Sequence, residues 1–275
     1  MQLIQKTIEY QKVGEEFKLY YIADIHLGNA ACDKNKYSQH VNRISSENHS
    51  YWVGGGDYCD CIHTSDKRFD ITTIDPRYHD KLDDLATYQQ IDFQNITEPI
   101  KDKCLGLLRG NHEEKIRLHY HRDICRRMCE DWNVPYLKDT TMIRLRFIRK
   151  SKGMTTKPSS TVFTIFCSHS HIAGRRAGGK TNRLEDLMRM FDADIYFIAH
   201  GHQKVVVSSS SLSVPTSGEL KLVNHRKIGM MTGSYLRAYQ QDVSCYAEKG
   251  LYCPSDLGAT CVTIKPYNRE ITAEV

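Results

Sequence analysis

An α/β fold, with parallel or mixed sheets covered by helices on their outer faces, is what this sequence predicts. Three observations carry that prediction. Short apolar runs recur along the chain, each ends in a cluster of Asp, His, Asn or Gly, and helical patterns fill the intervals between runs.

The runs are KLYYIA at 18–23, YWVGGG at 51–56, CLGLLRG at 104–110, TVFTIFC at 161–167 and DIYFIA at 194–199. Unbroken apolar runs of this length fit strands buried on both faces. After the third run, Ile116, Tyr120, Ile124 and Met128 recur every four residues and predict a helix that opens near Asn111. Between the fourth and fifth, Leu184, Leu187, Met188 and Phe191 form a helical stripe behind a cap at Thr181 or Asn182. The stretch 61–102 reads as a loop followed by a helix carrying Leu82, Leu85, Phe93, Ile96 and Ile100. Its loop part, with Lys67, Arg68 and Arg77, is either a substrate-facing lid or a solvated connection. Beyond 204 the segments VVVSSSSLSV, LKLVNH, KIGMMTGSYL and CVTIKP read as antiparallel strands. Strand, loop, helix is the repeating unit, so ligands belong beyond the carboxyl ends of the strands.

A chain of 275 residues has room for one large core, and one domain over 1–275 is the default. The N-terminal MQLIQKTIEYQKVGEEF lacks a signal-peptide pattern, and no apolar run nears the roughly 20 residues of a membrane span. The expected setting is therefore cytoplasmic, with no membrane partner. Ten cysteines occur with no C-x-x-C pair, which argues against a zinc knuckle and for reduced thiols. A net charge of +5 permits a polyanionic substrate without demanding one.

The chemistry lies at the strand ends. Asp24 and His26, in Ala-Asp-Ile-His-Leu-Gly, alternate so that a carboxylate and an imidazole enter the same space. The second run ends in Gly54-Gly55-Gly56-Asp57-Tyr58-Cys59-Asp60, the third in Arg109-Gly110-Asn111-His112-Glu113, the fourth in Ser168-His169-Ser170-His171 and the fifth in Ala199-His200-Gly201-His202. Asn111 and His112 open a helix, where backbone N–H groups favour an anion. Each residue taken alone fits a structural role. Five successive strand ends rich in metal-ligand and acid/base types point to one shared site.

The order D-x-H, G-D-x-x-D, G-N-H-E, strand-end His, G-H-x-H resembles the calcineurin-like metallophosphoesterase superfamily, over residues 24 to 202, with Thr232-Gly233-Ser234 similar to its later Gly-Ser turn. The GGK-x-N-x-L stretch before Asp-Ala-Asp-Ile-Tyr looks most like phosphoesterases of bacteriophages and bacteria. The resemblance implies a sandwich of two mixed β-sheets flanked by helices, and two divalent metal ions. One ion would take Asp24, His26, His202 and the bridging Asp57; the other would take Asp57, Asn111, His169 and His200. Mixed oxygen and nitrogen ligation suits Mn²⁺, Fe or Zn²⁺ alike, and the resemblance makes Mn²⁺ the first choice, with Fe, Zn, Ni or Mg as alternatives. Such a pair activates a hydroxide for in-line attack on phosphorus. His112 resembles the family's non-ligand histidine that assists the leaving group, and Asp60 the carboxylate that orients it. Arg109 is placed to face the phosphate. His171 competes with His169 as ligand, and His169, first after the strand, is preferred.

Residues 172–183 concentrate Arg175, Arg176, Lys180 and Arg183 among glycines, either as a phosphate-gripping loop or as a solvated one. With the net charge, this favours a phosphodiester substrate such as DNA, RNA or a nucleotide. A phosphomonoesterase uses the same centre, and a non-catalytic scaffold of the same fold is the alternative of another class.

Overall fold

The computed structural model describes residues 1–150, 160–170, 176–241, 243, 245–254 and 256–274. From the N-terminus come β1 (Gln2–Tyr10), β2 (Phe17–Ile22), α1 (Lys34–Ser46), β3 (Ser50–Gly54) and α2 (Leu85–Thr97). Next are β4 (Cys104–Leu108), α3 (Asn111–Tyr120), α4 (Ile124–Trp132), β5 (Tyr136–Lys138), β6 (Thr140–Arg149) and β7 (Ser160–Ser168). The chain ends with α5 (Ala177–Met190), β8 (Ile195–Ile198), β9 (Val205–Ser213), β10 (Val223–Met231), α6 (Tyr246–Lys249), β11 (Thr260–Lys265) and β12 (Glu270–Glu274).

Alternation along the strands builds the layers. In β2, Phe17, Leu19 and Tyr21 enter one core, while Tyr20 and Ile22 enter another on the opposite face. The first core lies between two sheets: Val53 and Val262 belong to the sheet of β2, and Ile143, Phe147, Ile165, Phe197 and Met230 to the other. The second core packs Trp52 and Leu107 against Tyr37 and Val41 of α1, Phe93 of α2 and Met128 of α4. A third packs Phe166, Tyr196 and Met231 beneath Leu184, Leu187 and Met188 of α5. Burying each large side chain contributes about 1.5–3 kcal/mol. The layers are thus helices, sheet, sheet, helix.

Both sheets have six strands, in the orders β1-β6-β7-β8-β10-β9 and β12-β11-β2-β3-β4-β5, and both are mixed. The segment β2 to β5 is parallel, while β11 is antiparallel to β2. In the other sheet β7, β8 and β10 are parallel, and β6 and β9 run against them. The expected fold class is the observed one.

Four details differ from the sequence expectation. Strands β1, β5 and β6 carry no unbroken apolar run; β6 instead buries Ile143, Leu145 and Phe147 and exposes Arg144 and Arg146, the period of a half-buried strand. The single helix expected after Asn111 breaks at His121, whose left-handed φ of 54° separates α3 from α4. Helix α5 starts at Ala177, ahead of the Thr181 or Asn182 cap. The tail is not wholly antiparallel, because the VNH of LKLVNH and the KIGMM run together as β10, which pairs parallel with β8.

Candidate metal centre

The loops leaving β2, β3, β4, β7 and β8 meet at one place. Backbone bonds bring the first two together: Asp24 N donates to Gly56 O and His26 N to Asp57 O, both at 3.0 Å. Glycine makes this approach possible. A Cβ on Gly110 would lie 2.1 Å from Asp57 Oδ1, and one on Gly56, at φ +95°, would lie 2.5 Å from Gly110 N.

Glu113, at the third position of α3, locks the two turns together. Its Oε2 accepts from the backbone N–H of Asp57 and of Gly110, both at 2.9 Å, and its Oε1 from Tyr58 at 2.8 Å and Cys59 at 3.2 Å. Burial, and after it the nearby Asp57 carboxylate, push Glu113 up to about 7. The four N–H donors oppose that shift by favouring the carboxylate. Glu113 was visible in Gly-Asn-His-Glu, but its task is fixed by contacts 55 residues away in sequence.

Three groups of side chains bring ligand atoms within 4.8 Å of one another: Asp24, His26 and His202; His26, Asp60 and His112; and Asp57, His169 and His200. Asp24 Oδ1 lies 3.3 Å from His202 Nε2, whose ring nitrogen is 3.4 Å from His26 Nε2. On the other side, His169 Nε2 lies 3.3 Å from Asp57 Oδ2 and 3.0 Å from Asn111 Oδ1. His169 Nδ1 donates to Gly55 O at 2.7 Å, which assigns the proton to Nδ1 and leaves Nε2 facing the centre.

This donor set fits a divalent cation. Asp24 and Asp57 are 0% and 1% exposed, and burying two carboxylates demands positive charge close by. Burial would raise Asp57, yet the imidazoles of His169 and His112 hold it well below the usual carboxylate range. Burial keeps His26 below its ordinary value, and burial followed by the neighbouring His169 lowers His200 to about 4. Neutral imidazoles are the form that ligates metal, whereas at His169 burial is outweighed by the Asp57 carboxylate, which raises the ring to about 10, a charge that a bound cation would displace.

Backbone strain concentrates here as well. Of thirteen non-glycine residues at positive φ among those described, five are Asp24, His26, Asp57, His200 and His202, at φ between 50° and 70°. Left-handed backbone costs such residues on the order of 1 kcal/mol each, and it persists where surrounding structure imposes it, characteristically at functional sites.

All seven sequence-derived ligand positions converge, and His112 sits among them. Its backbone N–H donates to Asp57 Oδ1 at 2.9 Å, and its Nδ1 meets the carbonyl of Asp60. Two expectations need correction. The Asp60 carboxylate faces His26, with Oδ1 at 3.4 Å from His26 Nδ1 against 3.9 Å from His112 Nδ1, so it is the Asp60 carbonyl that orients His112. Arg109 does not face the centre: Glu114, Asp139 and the Tyr136 hydroxyl take its guanidinium at 2.6, 2.6 and 2.9 Å. His171 and residues 172–175 lie outside the described residues. Lys180 is buried and donates to Gly201 O at 2.7 Å and Gln203 Oε1 at 2.8 Å, so it braces the His200–His202 turn. Ser234, of the Gly-Ser turn, braces the first strand end through Oγ to Asp24 O at 2.8 Å.

A two-layered sheet sandwich with a histidine–carboxylate centre at its strand ends defines a metallophosphoesterase-type protein. The sequence model of the calcineurin-like phosphoesterase family matches residues 17–204, more than half of the chain, and the chain belongs to that family. No curated protein's sequence matches it. Among solved structures, the chain is similar to a Zn²⁺-complexed Vps29 from Entamoeba histolytica, at 13% identity and a TM-score of 0.38 over 94% of this chain and 97% of that one. It is also similar to a predicted phosphoesterase from Streptococcus pneumoniae, at 10% identity and a TM-score of 0.33 over 94% and 99% of the two chains. A metallophosphoesterase from Sphaerobacter thermophilus matches at 9% identity and a TM-score of 0.39, over 94% and 86%. Among the described residues no helix is long and apolar enough to cross a membrane.

Proposed function

We propose that this protein hydrolyses phosphodiesters, in a nucleic acid or a nucleotide, with two divalent cations of which Mn²⁺ is the preferred choice. One carboxylate oxygen carries the reading. Asp57 Oδ2 lies 3.3 Å from His169 Nε2 and 3.9 Å from His26 Nε2, within reach of both ligand groups at once. Asp24, His26 and His202 complete one set with it, and Asn111, His169 and His200 the other. Two cations held there would supply Lewis acidity and lower the pKa of water towards neutrality.

The chain's own groups do the rest. His112, fixed through Nδ1 to the Asp60 carbonyl and through its backbone N–H to Asp57, offers Nε2 to the leaving alkoxide as proton donor. The Asp60 carboxylate holds His26 in its ring orientation, the work of a group behind a ligand. Exposed Arg176 and Arg183 and the net charge of +5 support a polyanionic diester over a small neutral-tailed monoester.

The test compares a chromogenic phosphodiester with the matching monoester, after chelation and Mn²⁺ addition, in wild type, Asp57→Asn and His112→Ala. Metal-dependent diester turnover is expected, falling about 100-fold or more in each variant. Turnover of the monoester alone assigns a phosphatase, and no turnover by a metal-loaded protein assigns the non-catalytic scaffold.

A further inference from the structure

The 61–84 segment brings one more group to the centre. Its side chains pin it to α3, the helix that begins with Asn111 and His112. His63 Nδ1 and the Tyr120 hydroxyl are 2.8 Å apart, Ser65 Oγ also meets that hydroxyl, and Lys115 Nζ donates to Asp66 Oδ2 at 3.4 Å. The loop therefore rides on the same rigid unit as His112.

Within this loop Asp66 aims Arg68. The Asp66 carboxylate accepts from the Arg68 backbone N–H at 2.9 Å, from Nε at 3.1 Å and from Nη2 at 2.9 Å. Two of the three guanidinium nitrogens are thereby used, and the third, Nη1, lies 3.5 Å from His112 Nε2. The side chain keeps 31% exposure, so it stands at the mouth of the centre and not within its core. Burial works against the Arg68 charge, but Asp66 first, and then Asp60 and Asp57, hold it above its ordinary value. A planar cation whose Nη1 stands beside the histidine, held there only by a long 3.5 Å contact that a substrate oxygen can replace, suits a phosphoryl oxygen in geometry and in charge.

We infer that Arg68 is a substrate-binding residue: its Nη1 edge grips a non-bridging oxygen of the phosphate that His112 serves, and Asp66 is the positioning residue that fixes that edge. The inference rests on the phosphoester-hydrolase reading for its substrate, but its test does not depend on turnover. Sequence alone left Arg68 within a stretch that is either a lid or a solvated connection. The fork with Asp66 is what separates the two.

The experiment titrates inorganic phosphate into Mn²⁺-loaded protein by calorimetry for wild type, Arg68→Ala, Arg68→Lys and Asp66→Asn, with metal content measured in each. In parallel, KM and kcat are taken on the chromogenic diester. Arg68→Ala is expected to weaken phosphate about tenfold or more and to raise KM in step, with bound metal unchanged. Arg68→Lys restores part of this, since the charge returns without the fork, and Asp66→Asn falls between wild type and Arg68→Ala. Phosphate affinity within twofold of wild type in Arg68→Ala overturns the inference, as does a wild type that binds metal but no phosphate. A wild type that binds phosphate through Arg68 yet cleaves no ester overturns the hydrolase reading and leaves this one standing.

Discussion

The two sheets contribute to the centre in different ways. From the sheet of β2, β3 and β4 come Asp24, Asp57, Asn111 and His112, held in a backbone knot: Glu113 accepts four N–H groups, and Asp57 Oδ1 accepts the His112 N–H. From the other sheet come His169, His200 and His202, carried on two turns, with the His202 side chain 26% exposed against 0% for Asp24. Several bonds also cross the seam, among them His169 Nδ1 to Gly55 O at 2.7 Å and Ser234 Oγ to Asp24 O at 2.8 Å. They are joined by His200 N to Asp24 Oδ2 at 2.9 Å, Tyr21 Oη to Ser168 O at 2.9 Å, and the ring contacts of His26 with His202. One half is thus tied mainly within itself, through the Glu113 carboxylate, and the other mainly across the seam and through Lys180. A pair of cations would staple the two sheets together, as binding to the folded state alone always stabilises it.

The largest effect is expected where the knot is tied. Glu113→Gln puts an NH₂ where one carboxylate oxygen now accepts two backbone N–H groups, so at least two buried donors lose their acceptor and a donor is left facing them. The cost is about 3 kcal/mol. Urea unfolding after chelation is the measurement, because bound metal would otherwise mask the loss of the knot. A midpoint equal to that of wild type would show that the β2–β4 half is no more tied within itself than its counterpart.

This contrast also explains what the sequence makes legible. The candidate ligand residues are readable because each stands at the end of an unbroken apolar run, and five such ends repeat the pattern. Strands β1 and β6 are less so, since they sit at the edge side of their sheet and alternate, as in Arg144-Leu145-Arg146-Phe147, instead of running unbroken. The groups that hold the ligands are the least visible. Glu113, Lys180 and the Asp60 carbonyl act through backbone atoms distant in sequence, and a backbone acceptor carries no residue signature. Lys180 shows the cost of reading charge locally: grouped with basic neighbours it looks like a phosphate grip, whereas its ammonium is turned inward.

A moderate effect is expected on the second half. Lys180→Met keeps the buried stem filled and removes the ammonium that holds Gly201 O and Gln203 Oε1. The His200–His202 turn loses its brace, and Mn²⁺ affinity should fall about tenfold, the usual scale for groups standing behind ligands. Stability should change little, since releasing a buried charge offsets the lost hydrogen bonds. Competition with a fluorescent chelator reads the affinity and unfolding reads the rest. Equal Mn²⁺ affinity with lowered stability would make Lys180 a packing residue and remove the asymmetry between the halves.

The smallest effect on turnover belongs to a residue that lies inside the motif and outside the site. Arg109 immediately precedes Gly110-Asn111-His112, but β4 ends so that its side chain points away into Glu114, Asp139 and Tyr136, with Asp123 3.7 Å from Nη1. Three carboxylates around one guanidinium make a structural cluster that ties α3, α4 and the start of β6 to the end of β4. Arg109→Gln should therefore lower stability by about 1–2 kcal/mol, as an unpaired, partly screened group of acids is left behind. Its kcat and KM should stay within about twofold of wild type, because no transition-state contact is removed. A raised KM at unchanged stability would put the arginine back on the phosphate. The Arg68 and Arg109 variants together then decide which of the two arginines the substrate meets: the one delivered by the 61–84 loop, or the one delivered by the strand.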